Sequence, residues 1–396
     1  MSLRTPAGFI RPGYDPLKVP NAPTIGTATG GDAQASVAFT APANVGGSAI
    51  TQYTAVSTPD GLYAQGSSSP LSVTGLTNGT AYTFTVWALN TYGPSPYSAA
   101  SGSVTPAAAG LFGGGLLPTY TNVIQYVSIT SSANATDFGD LTQARYSPAA
   151  CASTTRAVWM GGNTGSTVNT MDYVTIASAG NATDFGDLTQ VTVIAAGCNS
   201  TTRGLCGGGY NTSTPYTTIS YITIASTGNA TSFGSLTSGR RNITSCSSST
   251  RGVWAAGYNG SADVNIIDYV TIASTGNATD FGDLSLVCDG GSACSNATRG
   301  LISLAYNLGG VAATNAVEYI TIASTGNATY FGDLSSAGAR FAASASGSTK
   351  ALFTIYGGNV IEYFTIASTG NSTDYGDLIQ DSGYFSGCCN ANGGLQ

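Results

Sequence analysis

YVTIASTGNATDFGDL, residues 269–284, returns in close variants about every 48 residues through the last three quarters of the chain. Tyr126, Tyr173, Tyr221, Tyr269, Tyr319 and Tyr363 open the six copies, and Phe138, Phe185, Phe233, Phe281, Phe331 and Tyr375 mark one later position in each. Outward from the copy at 269, the segment 240–284 reads as four short strands: RNITSCSS, TRGVWAAGY, NIIDYVTIAST and NATDFGDL. Gly, Asn and Ser turn chemistry separates them. Val, Ile, Thr, Tyr and Phe fill these segments, and no window carries the three-to-four spacing of an amphipathic helix. In IIDYVTI both alternating sets, Ile267/Tyr269/Thr271 and Asp268/Val270/Ile272, are partly apolar, as a sheet packed on both faces requires. Four-strand repeats of this length point to propeller blades, and the chain is expected to be all-β.

TRAVWMGG, TRGLCGGG and TRGVWAAG place a Thr-Arg pair before an apolar strand that ends in small residues. A Tyr-bearing strand follows, then an aromatic. This pattern resembles kelch-type propeller repeats over roughly residues 109–396, with Phe where kelch repeats usually carry Trp. Lys350 replaces the Arg in one copy, and no Arg precedes Gly110. The ends of the region are complementary. AGLFGGG at 109–115 matches a second strand, and GYFSGCCNAN at 383–392 matches only a first. Joining them predicts a ring of six blades over 107–396, closed by pairing of its N- and C-terminal strands and leaving no open edge.

Residues 21–106 resemble a fibronectin type III domain, a two-sheet sandwich. Pro23 begins it, Val37 and Phe39 fall on the second strand, and Tyr53 on the third. GLTNGTAYTFTVWALNTYG supplies Leu76, Tyr82, Val86, Ala88 and Asn90 at the corner and sixth strand, and Ser95, Ser98 and Val104 lead out. Pro106 and the Ala run to Ala109 form a short linker.

Thirteen of the 19 acidic groups fall at two repeated places, the DFGD segment and the residue before the repeat Tyr (Asp172, Asp268, Glu318, Glu362). A net charge of −7 argues against nucleic acid, whose binders cluster Lys and Arg. Before Arg145 the only cations are Arg4, Arg11 and Lys18, all in the segment 1–20, MSLRTPAGFIRPGYDPLKVP. Its four prolines and lack of period predict an extended or partner-ordered arm, and it has no apolar run fit for a signal peptide or membrane insertion. RPGYDPL resembles a short opening found on tail-associated proteins of marine bacteriophages. That resemblance makes Arg11, Pro12, Gly13, Tyr14, Pro16 and Leu17 a candidate anchor to other virion proteins.

Cys151, Cys198, Cys246, Cys294 and Cys389 share one address, on the expected first strand of successive blades, with Ala345 in the sixth place. Symmetry spaces them around a ring, so buried free thiols are expected rather than disulfides. The chain contains no histidine, which excludes Ser-His-Asp triads and His-ligated metal centres; neither a metal nor another cofactor is expected. TDFGD carries the D-x-G core of the Asp-box turn, so a six-bladed sialidase is the best enzyme alternative. The acid, tyrosine and triple-arginine set that such a resemblance requires is missing, and no catalytic residue is assigned. Asp137 with Asp140 and the equivalent pairs are candidate calcium ligands, but Ser232 and Ser235 replace both carboxylates in one copy; a turn cap plus an Arg or backbone partner is the expected role. Asn-Ala-Thr at Asn134, Asn181, Asn229, Asn277 and Asn327, with NST at Asn371, reads as a turn before the fourth strand rather than as a glycosylation site.

The loops between second and third strands differ freely, whereas the STGNAT turns hardly change. Propeller topology places these on opposite rims. Asn163, Tyr210, Tyr216, Tyr258 and Asn307 on the variable rim are the candidate binding residues, able to stack on or hydrogen-bond sugars. The combined expectation is a phage virion structural protein of the tail fibre or baseplate, present in many copies and contacting host-surface glycans or neighbouring virion proteins. A capsid decoration protein without receptor role and a cell-surface adhesin are the alternatives.

Overall fold

The computed structural model describes residues 18–78, 80–116, 118–305, 314–337, 341–381 and 383–390. The chain divides into two compact units, Met1–Pro106 and Ala107–Gln396. Among the described residues it is all-β, built from separate antiparallel sheets with no helix. Accordingly, no helix among them is long and apolar enough to cross a membrane.

In the first unit a three-stranded sheet (Thr24–Gly31, Gln34–Thr40, Leu71–Thr74) and a four-stranded one (Tyr63–Gly66, Gln52–Thr58, Thr83–Asn90, Gly93–Pro94) share one core. The period-2 pattern of TFTVWALN buries Phe84, Val86 and Ala88 and turns the intervening residues outward. Tyr82 is buried, and its hydroxyl accepts the Thr77 amide proton at 3.1 Å and donates to Asp60 at 2.7 Å. Beyond this strand the chain returns along its edge in steps of three. Ser95, Ser98 and Ser101 each donate a backbone N–H to Ala88, Val86 and Phe84 in turn, while their hydroxyls accept the amides of those same residues at 2.9 Å. The serine spacing thus satisfies an edge that no regular strand covers.

In the second unit each period folds as the sequence predicts. The period around residue 269 gives Thr244–Ser247, Arg251–Ala255, Val264–Thr271 and Thr279–Cys288, hydrogen-bonded in that order. Five such four-stranded sheets follow one another. The sixth is composite: Ser386–Cys389 pairs antiparallel with Ala109–Gly113, ahead of Val123–Ser128 and Thr136–Asp140. The first strands of consecutive sheets pack side by side. Their circuit closes because Ser386–Cys389 touches both Ser344–Ser346 and Ala149–Ala152.

Three repeated contacts explain the repeated residues. First, the sequon asparagines cross between sheets: Asn181 Oδ1 accepts the Asp140 amide proton at 3.1 Å, and Asn134, Asn229, Asn277, Asn327 and Asn371 do the same for Asp377, Asp187, Ser235, Asp283 and Asp333. Second, the repeat arginines lie over repeat tyrosines, Arg156 at 4.6 Å from the Tyr173 ring, and donate to the next sheet, here to Ile224 O at 3.1 Å. Lys350 keeps the cation over Tyr363 at 4.8 Å. Of the two partners expected for the second DFGD carboxylate, a repeat Arg or a backbone N–H, the Arg is not the one used among the described residues, because the repeat arginines bridge to backbone carbonyls. Third, the first-strand thiols fit where the next sheet has glycine. A Cβ on Gly204, Gly252 or Gly300 would stand 2.4–2.7 Å from the sulfur of Cys151, Cys198 or Cys246. None of the eight cysteines is in a disulfide; Cys389 is half-buried and the others are buried.

The acidic slot before the repeat Tyr is a capping position. Asp172 accepts the Thr142 amide and hydroxyl of the preceding sheet, at 3.2 and 2.6 Å. Glu318 and Glu362 accept the amides of Ser285 and Ser335, and Gln125 that of Ile379. In two sheets the slot also neutralises a wholly buried guanidinium, Arg145 on Asp172 at 2.9 Å and Arg240 on Asp268. Burial lowers the pKa of both arginines from the usual value, opposed by the facing aspartate.

Candidate binding face

Antiparallel pairing sets the start of each first strand beside the end of the second, as Ala149 pairs with Met160. The connection entering each sheet and the variable loop between its second and third strands therefore share one end of the ring. The STGNAT turns lie at the other, where Tyr173 pairs with Thr183.

At that first end the six connections join. Ser147, Ile194, Asn242, Gly290, Phe341 and Tyr384 occupy equivalent places, and all six take positive φ, between 47° and 69°. Each donates its backbone N–H to the carbonyl of the one before: Ile194 to Ser147, Asn242 to Ile194, Gly290 to Asn242, Phe341 to Gly290 and Tyr384 to Phe341. Ser147 donates to Tyr384 at 2.5 Å, so the hydrogen bonds form a closed circle. The left-handed conformation turns each amide toward its neighbour instead of along the strand, a cost that only Gly290 escapes. Within the circle lies a cavity of about 110 Å³, with a second of about 60 Å³ deeper on the axis beside Cys198, Cys246, Cys294 and Cys389.

Three of the residues expected to bind sit around this mouth. Asn163 exchanges backbone hydrogen bonds with Tyr146, Tyr210 with Val193, and Tyr258 with Arg241. The Asn163 side chain is spent locally, its Oδ1 accepting the Gly165 amide at 2.8 Å. Tyr210 and Tyr258 clamp the Arg241 guanidinium between them, with centroid distances of 4.5 and 5.0 Å. Tyr216 is half-buried and works through its backbone, donating to Gly209 and accepting from Arg240. Asn307 lies outside the described residues, as do the anchor candidates Arg11, Pro12, Gly13, Tyr14, Pro16 and Leu17.

The larger aromatic group on this face was not among those candidates. Tyr384 stacks on Phe341 at 4.2 Å and meets Tyr146 and Tyr356 edge-on at 5.6 and 5.9 Å, and Tyr120 leans on Tyr146 at 5.5 Å. Burial, with the neighbouring phenols Tyr210 and Tyr120, raises the Tyr146 pKa. One signal was available. YSP, VIA, RNI, DGG, RFA and GYF occupy the same place in successive periods and vary as freely as the loops do. At the opposite rim, and among the described residues generally, no three His, Cys, Asp or Glu side chains converge as a metal site would require.

No family model matches the chain, and no curated protein matches it.

Proposed function

We propose that this chain is a virion structural protein of a bacteriophage, associated with the tail fibre or baseplate, in which a recognition head is carried on a spacer and an arm. In this reading Ala107–Gln396 is a six-bladed kelch-like β-propeller, residues 21–106 form a fibronectin type III spacer, and residues 1–20 anchor the protein to other virion proteins. The observation that carries the recognition role is the contrast between the two ends of the ring. One end repeats the same turn and the same Asn bridge six times. The other sets unequal loops and a connected aromatic group around a central mouth. A rigid ring bearing such a face suits binding without turnover, and many copies on a particle would turn weak contacts into avidity. The RPGYDPL arm supports a virion setting. The two-sheet core, the buried Tyr82 corner and the alternating strand 83–90 support the spacer.

Immunogold electron microscopy of purified phage particles, with an antibody against residues 107–396, tests the proposal. Label at the tail tip or fibres is the expected result. Label over the head overturns the tail assignment in favour of capsid decoration, and unlabelled particles overturn the virion reading.

A further inference from the structure

We propose that the mouth of the ring binds a neutral oligosaccharide, with Tyr120 and Tyr356 as stacking platforms and the Asn242 amide oxygen as a hydrogen-bond acceptor for a sugar hydroxyl. The proposal rests on the recognition reading above and names its ligand class and site.

The aromatic group is more exposed than packing calls for. Four rings far apart in the sequence gather about Tyr384, with Phe341, Tyr146 and Tyr356 meeting it and Tyr120 joined through Tyr146, and the two outermost, Tyr120 and Tyr356, keep 39% and 38% of their surface in solvent. A ring that only completes a core hides its faces. These offer a face for the C–H surface of a sugar, while their phenols remain available to its hydroxyls.

Across the circle from Tyr384 stands Asn242. Its residue is 7% exposed and its Nδ2 donates to Asp289 at 2.6 Å, yet its Oδ1 has no hydrogen-bond partner among the described residues. A buried amide oxygen left without a donor costs free energy comparable to a lost hydrogen bond. Asn242 lines the cavity of about 110 Å³, which has room for a hydroxylated group entering from the mouth. A donor held there by a sugar stacked on the rings would satisfy it. Asn242 and Tyr384 hold opposite places in the circle, so a ligand that touches both must span it.

Backbone conformation points the same way. Glycine takes positive φ without cost, and Gly290 does so here at 69°. The other five positions carry side chains in the same left-handed conformation, two of them aromatic, and strain of this kind gathers at ligand-binding sites. Charge selects the class of glycan. A chain of net charge −7 disfavours sulfated, sialylated or uronic-acid chains.

The test is a printed array of neutral and acidic glycans probed with the full chain and with Tyr120→Ser and Tyr356→Ser. Tyr63→Ser, which removes an exposed ring from the first unit, is the control. The expected result is binding to a subset of neutral glycans, weakened roughly fivefold to tenfold by either mouth substitution and unchanged by the control. Both mouth variants remove exposed rings and keep the melting temperature of the parent, which calorimetry verifies before printing. Binding confined to acidic glycans, an array without neutral hits, or neutral binding indifferent to both substitutions overturns the proposal. Labelled particles with a blank array sink the glycan site and leave the recognition reading standing. Unlabelled particles with a neutral hit do the reverse.

Discussion

Asn134 and Asp377 are 243 residues apart, and the Asn134 side chain accepts the Asp377 backbone proton at 3.0 Å. This is the same bond that joins every other pair of consecutive sheets, so at its outer rim the joint that closes the ring is built like the five formed in sequence. Replacing Asn134 or Asn277 by Ala removes one such bond and leaves an N–H to water. Each change is expected to cost about 1 kcal/mol, a fall of about 2–4 °C in melting temperature for a unit of this size. Calorimetry of the two variants side by side checks the equivalence. A much larger loss for Asn134 would mean that the closing joint depends on this bond more than the others do.

The glycine of DFGD has a stricter role. Gly282 has φ of +147°, and a Cβ there would stand 2.5 Å from the Gly326 backbone carbonyl of the next sheet. Both obstacles are backbone, and no rotamer change relieves them. Gly282→Ala is expected to destabilise the second unit by roughly 3 kcal/mol or more. By contrast Gly276→Ala meets open space in its turn and serves as the control. Urea unfolding of both variants decides it; equal midpoints would show that the joint at Gly282 can open without loss.

The repeat phrase made most of this architecture legible because each of its parts is used six times, and a contact made six times leaves a period. Strand order, the composite sheet and the free thiols follow from that period. The partners of the repeated groups did not follow, since Arg156 reaches Ile224 and Asn181 reaches Asp140 across a joint that no single period contains. The circle of backbone bonds was invisible for a different reason. Ser147, Ile194, Asn242, Gly290, Phe341 and Tyr384 share a conformation and no chemistry, so nothing in their side chains marks them as equivalent. The mouth aromatics were missed with them. Tyr146, Phe341 and Tyr384 stand in connections between periods, and only closure of the ring brings them together.

Arg240 and Asp268 are wholly buried, and removing one partner leaves an uncompensated charge. Asp268→Ser is therefore expected to cost about 3–5 kcal/mol. The neighbouring sheet shows how the site can be emptied, because Thr192 and Ser220 hold the same two places there and Thr189 bonds Ser220 at 2.7 Å. The double substitution Arg240→Thr/Asp268→Ser should recover most of the loss. A double-mutant cycle by chemical denaturation reads the coupling, and additive losses would show that the pair contributes nothing specific to the joint.

Alkaline pH should weaken the second unit through its thiols. Burial pushes Cys206, Cys246 and Cys288 up to about 12. A thiol raised in the folded state keeps its proton after the unfolded chain has released its own. Its contribution is complete below about pH 8.5 and is lost progressively as pH rises toward 12, at roughly 1 kcal/mol per pH unit for each thiol. Stability measured from pH 8 to 10.5 should fall steadily, and Cys246→Ala should flatten the slope by about one thiol's share. A slope unchanged by that substitution would place the alkaline loss elsewhere, with the tyrosines the next groups to test.

The composite sheet makes the last strand the closure of the whole unit. Ser386–Cys389 covers the edge of Ala109–Gly113 and also packs between the first strands of two neighbours. Removing residues 383–396 therefore opens four contacts together: a strand edge, two flanks of the inner circuit, and the circle of backbone bonds at Tyr384. The freed edge is apolar, since Ala109, Leu111 and Phe112 are all buried in the intact ring. An uncovered apolar edge seeks another strand. The truncated chain is expected to melt well below the full chain and to elute as oligomers in size-exclusion chromatography, in proportion to its concentration. Adding a peptide of residues 383–396 should restore part of both properties, because the missing strand pairs with the edge in the same register whether or not it is covalently attached. A truncated chain that stays monomeric with the parent's melting temperature would show that five complete sheets hold the ring without its closing strand.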